Sequence, residues 1–396
     1  MIPYAKHDVT EDDINAVVEV LRNQPITQGP KIGEFEKLFA QYVGSKYAVA
    51  VSNGTAALHL SAIALGVKPN SKVISTPLSF VASTNSVLYC SGSIEFVDIE
   101  FSTYQIDFDK VESLLANSEP GTYSGIIPIA YAGLPLDLEK LRDLANKYNL
   151  WILEDSCHAL GAYNTASNGL TYKTGSSMFS DLSIFSFHPA KHITTGEGGM
   201  ITTNNEQLYH SLLKLRTHGI TRNSFEFTNP INAAFGLETT EVVYPGWYME
   251  MQELGYNYRI TDFQCALGIS QLNRIENNLL RRRSIAQKYV SAFVNQPWLI
   301  NPIEFTPNHA YHLFVLTVEK RFELYEYLKK NSIFTQIHYL PIHKMPFYSR
   351  TVLEQGKSYT KSELFYSHAI SLPMYPSLSD EEVDFVISTM LKFYAE

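Results

Sequence analysis

What this chain of 396 residues lacks narrows its class before any motif is read. It has only three cysteines, Cys90, Cys157 and Cys265. They are odd in number, far apart and outside Cys-x-x-Cys spacing, so neither a disulfide framework nor a zinc or other metal site is indicated. The one basic cluster, Arg281-Arg282-Arg283, reads as a solvated helix face. Acidic residues outnumber basic ones 40 to 31, for a formal net charge of -9, which argues against nucleic acid or an anionic membrane as the main partner. No stretch approaches the roughly 18 apolar residues that span a bilayer, and MIPYAKHDVT at the amino terminus has no apolar signal region. The reading is a cytoplasmic protein. There is no GxGxxG and no Walker sequence, so nothing favours a dinucleotide or ATP.

With 45% hydrophobic and 18% charged residues, the chain can bury a large core and is long enough for two or three domains. Thr10 can cap a first amphipathic helix that ends near Pro25. The turn PITQGPK leads to a second, stopped by Gly44. From Tyr47 strands and helices alternate: YAVAV, a helix from Thr55, KVIST, a helix from about Val81, SIEFVDI, a helix near 109–115, GIIPIA, a helix over 136–148, and WILED. That alternation predicts a mostly parallel sheet covered on both faces, completed by strands at 182–187 and 199–203. Residues 221–250 read as a long polar and aromatic insertion. Thr261 can cap a long helix bridging to a smaller α+β region. The division expected is 1–260, 261–283 and 284–396.

Chemistry concentrates in three stretches. SIFSFHPAKHITTGEGGM, residues 183–200, carries Lys191 from an apolar strand into a bend rich in threonine and glycine. Partial desolvation there would lower a lysine's pKa, as a Schiff-base lysine requires. In VSNGTAALHL, residues 51–60, a strand meets a helix start at Gly54 and Thr55, which is either a phosphate cradle or an ordinary turn with a Thr cap. In WILEDSCHALG, residues 151–161, Asp155 ends an apolar strand, where ligands of open α/β sheets bind. Such a carboxylate needs a partner, and a protonated pyridine nitrogen would be one. His158 is then either a structural histidine or a hydrogen-bond partner of a ring substituent. An amine, an acid and an anion site together match the handles of pyridoxal 5′-phosphate (PLP).

SFHPAKHITTGEGGM, EDSCHALGA, NGTAALHL, TPLSFVASTN, ELGYNYRITDFQCALGISQL and IHYLPIHKMPFY also resemble, in order and over nearly the whole chain, the DegT/DnrJ/EryC1/StrS sugar aminotransferases. The resemblance implies a PLP-dependent transferase of fold type I, with a large α/β domain and a smaller α+β C-terminal domain. It implies that Lys191 forms the Schiff base, Asp155 meets the pyridine nitrogen and His158 lies near the ring hydroxyl. Gly54, Thr55 and Ser186 would hold the phosphate, and Phe80 would stack on the ring. Asn257 would reach the phosphate from a partner subunit, making a homodimer with shared active sites. Substrate contacts would come from Thr27, Gln28, Lys31, Arg259, His312, His338 and Tyr339, each of which has an alternative surface or packing role.

Glutamate would be the amino donor. HPAKHITTGEGG, Pro-Gly-Trp-Tyr before ELGYNYR, THGITR and SLPMYPSLSDEE resemble the branch of this family that aminates a UDP-4-keto-6-deoxy-N-acetyl-L-sugar for pseudaminic acid. The insertion NPINAAFGLETTEVV, residues 229–243, departs from that branch. It leaves open a UDP-D-xylo 4-keto sugar of the bacillosamine or legionaminic acid routes, or a dTDP-sugar. A dehydratase of the same family carries histidine in the lysine's place, which Lys191 argues against. A DNA-binding regulator would show a basic helix-turn-helix, and none is visible.

Overall fold

The structure, a computed structural model, describes residues 1–351 and 357–396. Among these, seven strands form a central sheet in the spatial order Tyr47–Val51, Gly199–Thr203, Leu182–Ser186, Trp151–Asp155, Gly125–Ile127, Lys72–Ser75, Ser93–Phe96. From Leu182–Ser186 to Ser93–Phe96 every neighbouring pair is parallel. Gly199–Thr203 runs antiparallel to both of its neighbours. Successive side chains of a strand point to opposite faces, and here both faces are covered. Ile152 belongs to the apolar cluster on one side and Leu153 to that on the other, as do Ile126 and Ile127. That double burial explains why the strands read as continuous apolar runs.

The crossover helices are Gly54–Ala64, Ala82–Tyr89, Phe108–Ala116 and Leu138–Tyr148. Asp107 and Asp137 cap the last two by accepting from Lys110 and Lys140 N–H. The first two helices of the chain, Glu11–Asn23 and Pro30–Val43, have the expected punctuation. Thr10 and Asp13 form a capping box, and Gly44 ends the second helix at φ +83°, which glycine adopts without the Cβ penalty.

The long helix expected from Thr261 is two helices, Asp262–Asn273 and Ile275–Phe293. At Arg274 the backbone leaves helical geometry (φ -112°, ψ 9°). Its guanidinium pairs there with Asp8 at 2.7 Å and the buried Asp13 at 2.6 Å. The second helix also overturns the reading of Arg281-Arg282-Arg283 as a solvated face, because it lies between the large sheet and the C-terminal region. Arg282 is 2% exposed and donates to the carbonyls of Tyr311, His312 and Met374. Arg283 donates to those of His309 and Gly161.

Beyond this helix, Phe314–Thr317 and Ala369–Leu372 form an antiparallel pair with a separate apolar cluster that includes Tyr289, Phe293, Leu316, Leu328 and Val386. We propose the division 1–260, 261–283 and 284–396 on that separate core. The chain's first residues cross over to it, since Ile2 packs there and bridges Ile333. The 221–250 insertion carries a short helix, Ile231–Phe235, and is closed by Glu250–Met251 pairing with Ile220–Thr221. Among the described residues no helix is long and apolar enough to cross a membrane.

Candidate active site

Strand ends and loops on one side of the sheet open into a cavity of about 850 Å³. Asp155 enters it from the end of its strand, while the backbone there stays in the sheet through Asp155 N–H to Pro128 O and Ala130 N–H to Asp155 O, both 3.0 Å. Its carboxylate is engaged on both oxygens. Ser83 Oγ donates to Oδ2 at 2.6 Å, and the Cys157 N–H donates to Oδ1 at 3.2 Å.

Lys191 faces Asp155 across the cavity on a turn pinned by its own threonines. Thr194 Oγ1 donates to Phe187 O, and Thr195 Oγ1 to Glu197 O. The following glycines serve the backbone: a Cβ on Gly199 would come within 2.6 Å of the Asn53 carbonyl, so this strand can approach the helix start only as glycine. Burial lowers the Lys191 pKa below its usual value, against the opposing pull of Cys157 and Asp155. Lys191 Nζ lies 3.4 Å from His312 Nε2. The rings of His312 and His158 are 4.4 Å apart, and burial followed by the Lys191 charge holds both well below the usual histidine pKa. They are neutral, so the cavity holds the lysine among acceptors and not among cations.

The helix start at Gly54 supplies the anion site. Its cap is Asn53, whose side chain accepts from Ala56 N–H at 2.8 Å, and not Thr55. Gly54 and Thr55 N–H make no hydrogen bond among the described residues, and at a helix N-terminus such groups favour an anion. A Cβ on Gly54 would meet Ser186 Cβ at 3.0 Å. Glycine therefore keeps Ser186 and the helix start in one small cradle.

The structure brings Gly54, Thr55, Phe80, Asp155, His158, Ser186, Lys191, His312, His338 and Tyr339 together around this cavity. Phe80 stands at its rim, 57% exposed, with its ring 6.0 Å from that of Tyr339. Tyr339 Oη is 3.3 Å from His158 Nε2, and His338 Nδ1 is 2.8 Å from Ser371 Oγ. Thr27, Gln28, Lys31, Asn257 and Arg259 do not line the cavity. The turn with the first three is tied instead to Asp262, which accepts from Gly29 and Lys31 N–H at 2.8 and 2.9 Å. Sequence reasoning missed Ser79, Ser83, Cys157, Tyr4 and Tyr131, all in the cavity wall. Only the Ser-x-x-x-Ser spacing in SFVAS, which puts two hydroxyls on one helical face, could have pointed to the first two.

The residues fit PLP. A lysine of lowered pKa, a doubly anchored carboxylate and a glycine cradle with two free N–H groups surround one space. His158 and His312 each keep a buried Nδ1 without a hydrogen-bond partner among the described residues. Fold and cavity are those of a PLP-dependent transferase of fold type I.

Residues 7–391 match the DegT/DnrJ/EryC1/StrS aminotransferase family, and the chain belongs to it. It is 33% identical over 397 residues to a Campylobacter jejuni protein named UDP-4-amino-4,6-dideoxy-N-acetyl-beta-L-altrosamine transaminase, covering 98% of this chain and 96% of the relative. The solved Helicobacter pylori aminotransferase PseC, described as involved in the biosynthesis of pseudoaminic acid, is 28% identical with a TM-score of 0.84, covering 100% of this chain and 99% of that one. A Streptococcus pneumoniae putative sugar aminotransferase, solved in its PLP form, is 29% identical with a TM-score of 0.83, covering 98% of this chain and 97% of that one. The protein is a sugar aminotransferase that uses PLP.

Proposed function

We propose that this enzyme moves the amino group of L-glutamate to C4 of UDP-2-acetamido-2,6-dideoxy-β-L-arabino-hexos-4-ulose, the step leading to pseudaminic acid, as a homodimer with shared active sites. The observation carrying the substrate assignment is the full-length likeness to a transaminase named for the altrosamine product, and the solved neighbour described for the pseudoaminic acid route agrees with it.

In this reading Lys191 holds PLP, and Gly54, Thr55 and Ser186 hold its phosphate. Asp155 faces the ring nitrogen, His158 the ring hydroxyl, and Phe80 covers the ring. When bound, PLP supplies an electron sink for the charge left as a proton leaves the carbon that carries nitrogen. The protein's share is to place and move that proton. Burial favours the neutral amine of Lys191, the form that can take up a proton. The 3.4 Å approach of His312 Nε2 gives the Lys191 Nζ a neutral neighbour to hydrogen-bond. Asp155, anchored on both oxygens, is the acceptor for a proton on the group it faces. Tyr339 and Phe80 form part of the cavity wall.

Thr27, Gln28, Lys31 and Arg259 are assigned to the nucleotide sugar, and Asn257 to the phosphate, each reaching the cavity of the partner subunit. His312, His338 and Tyr339 would meet the sugar from within the chain. A site that hydrogen-bonds its substrate rejects a misfit epimer because buried polar groups are left unpaired, at about 1–3 kcal/mol each. The test is kcat/KM for the β-L-arabino and α-D-xylo epimers of the UDP-4-keto sugar, with glutamate saturating. A preference for the L-arabino epimer is expected. A preference for the D-xylo epimer, or for a dTDP-sugar, would overturn the substrate assignment and direct attention to the 229–243 insertion.

A further inference from the structure

A chain of two serine hydroxyls ends on Asp155. Ser83 is 1% exposed and Ser79 2%. Ser83 Oγ lies 2.6 Å from Asp155 Oδ2, 2.8 Å from Ser79 Oγ and 3.2 Å from the Phe80 carbonyl. A hydroxyl has one proton to give, and a bond to an ionised acceptor is about twice as strong as one to a neutral acceptor. The Ser83 proton therefore goes to Asp155, and Ser79 donates into the oxygen of Ser83.

We infer that Ser83 is a positioning residue, backed by Ser79, that fixes the plane of the Asp155 carboxylate for the cofactor ring. With the Cys157 N–H on Oδ1 at 3.2 Å, each oxygen has one donor, and rotation of the carboxylate breaks both bonds. The competing partner is Lys191, whose charge interacts with Asp155. Among the described residues no other donor holds Oδ2, so without the Ser83 hydroxyl the carboxylate is free to turn towards Lys191.

The same serine joins the acid to the aromatic wall, since Ser83 N–H donates to the Phe80 carbonyl at 3.3 Å. On the other side of this helix, Tyr348 Oη lies 2.6 Å from both Thr84 Oγ1 and Asn85 Oδ1. The helix thus stays anchored when Ser83 is changed, and loss of the hydroxyl acts on Asp155 and on Ser79, which donates to it.

The inference rests on Asp155 facing the cofactor ring, so the test carries its own control. PLP affinity of the apoprotein and the visible circular dichroism of bound PLP are compared for wild type, Ser83→Ala, Ser83→Thr and Asp155→Asn, with apoprotein melting as the measure of folding. Ser83→Ala should bind PLP roughly tenfold or more weakly, the scale of one hydrogen bond to a charged group. Its dichroic band should change while the apoprotein still unfolds in a single cooperative transition, at most modestly below wild type. Ser83→Thr, which keeps the hydroxyl, should restore both. The inference is overturned if Ser83→Ala binds PLP with the wild-type affinity and band, or if Ser83→Thr fails as badly as Ser83→Ala. Asp155→Asn separates the two levels: a strong defect there beside a silent Ser83→Ala sinks only this inference, whereas a silent Asp155→Asn sinks the reading of Asp155 and this inference with it.

Discussion

Adjacent carboxyls at the end of one strand, Glu154 and Asp155, meet opposite fates because strand neighbours face opposite sides of the sheet. Asp155 opens into the cavity. Glu154 points into the covered face, 1% exposed, where Oε2 accepts from Ser183 Oγ at 2.7 Å and Gly175 N–H at 3.2 Å, and Oε1 has no hydrogen-bond partner among the described residues. Burial pushes its carboxyl up to about 7, against those hydrogen bonds. The folded pKa lies above the unfolded one, so the folded state binds more protons between pH 4.5 and 7 and this group's contribution falls as pH rises through that window. Glu154→Gln removes the ionisation and keeps an acceptor. It should gain stability relative to wild type between pH 5 and pH 8, by at most about 3 kcal/mol, read from urea midpoints at the two values; an unchanged difference would mean that Glu154 is not protonated in the folded state. At this scale Lys191 and Asp155 stood out in the sequence because Asp155 ends an apolar strand and Lys191 lies in the glycine- and threonine-rich bend that follows one. Arg282 and Ser83 did not. An arginine triplet looks the same whether its helix faces water or a neighbour, and a serine that holds a carboxylate 72 residues away leaves no local signature.

The helices and strands read from the sequence up to Thr203 were legible to within a few residues because their apolar positions keep a period of two or 3.6 and their caps are short polar residues, whereas the individual elements of the C-terminal region were not. The break at Arg274 was not, since it answers to Asp8 and Asp13 more than 260 residues back. The turn between the first two helices shows the same dependence on a distant group. Asp262, at the start of the helix Asp262–Asn273 and fully buried, accepts from Gly29 and Lys31 N–H, and its own N–H donates to Ile26 O at 3.0 Å. One side chain therefore fixes a loop that carries Thr27 and Gln28 outward. Asp262→Ala leaves two backbone donors unpaired and should cost about 1–3 kcal/mol of stability. If the turn reaches the nucleotide sugar as proposed, the same change raises KM for that substrate several-fold and leaves the glutamate-driven conversion of the cofactor to its amine form at the wild-type rate. A loss in both half-reactions would mean that the turn matters only for folding.

At the level of the whole molecule, the chain has a cavity and, apart from it, a set of polar side chains the cavity does not use. Thr27, Gln28, Asn257 and Arg259 make no side-chain hydrogen bond or ion pair among the described residues, and Asn257 is exposed. Nearby in sequence, Phe225, Val242, Val243 and Trp247 are 97%, 89%, 71% and 71% exposed. Apolar exposure on that scale is uncommon for a surface that stays in water. Both features are accounted for if a second copy covers the insertion and receives these side chains in its own cavity, which is the homodimer proposed above. That arrangement has a consequence a self-contained chain lacks. A Lys191→Ala chain keeps Asn257 to lend, and an Asn257→Ala chain keeps Lys191. In a mixed dimer one cavity carries both defects and the other carries neither. Unfolding and refolding the two inactive variants together should therefore restore activity, approaching a quarter of the wild-type level per total site at equal mixing, because half the dimers are mixed and each has one sound site of two. Each variant refolded alone should stay inactive. A mixture that stays as inactive as its components, while both variants form dimers by light scattering, would show that each cavity is built from one chain and would return Asn257 to a role on the surface.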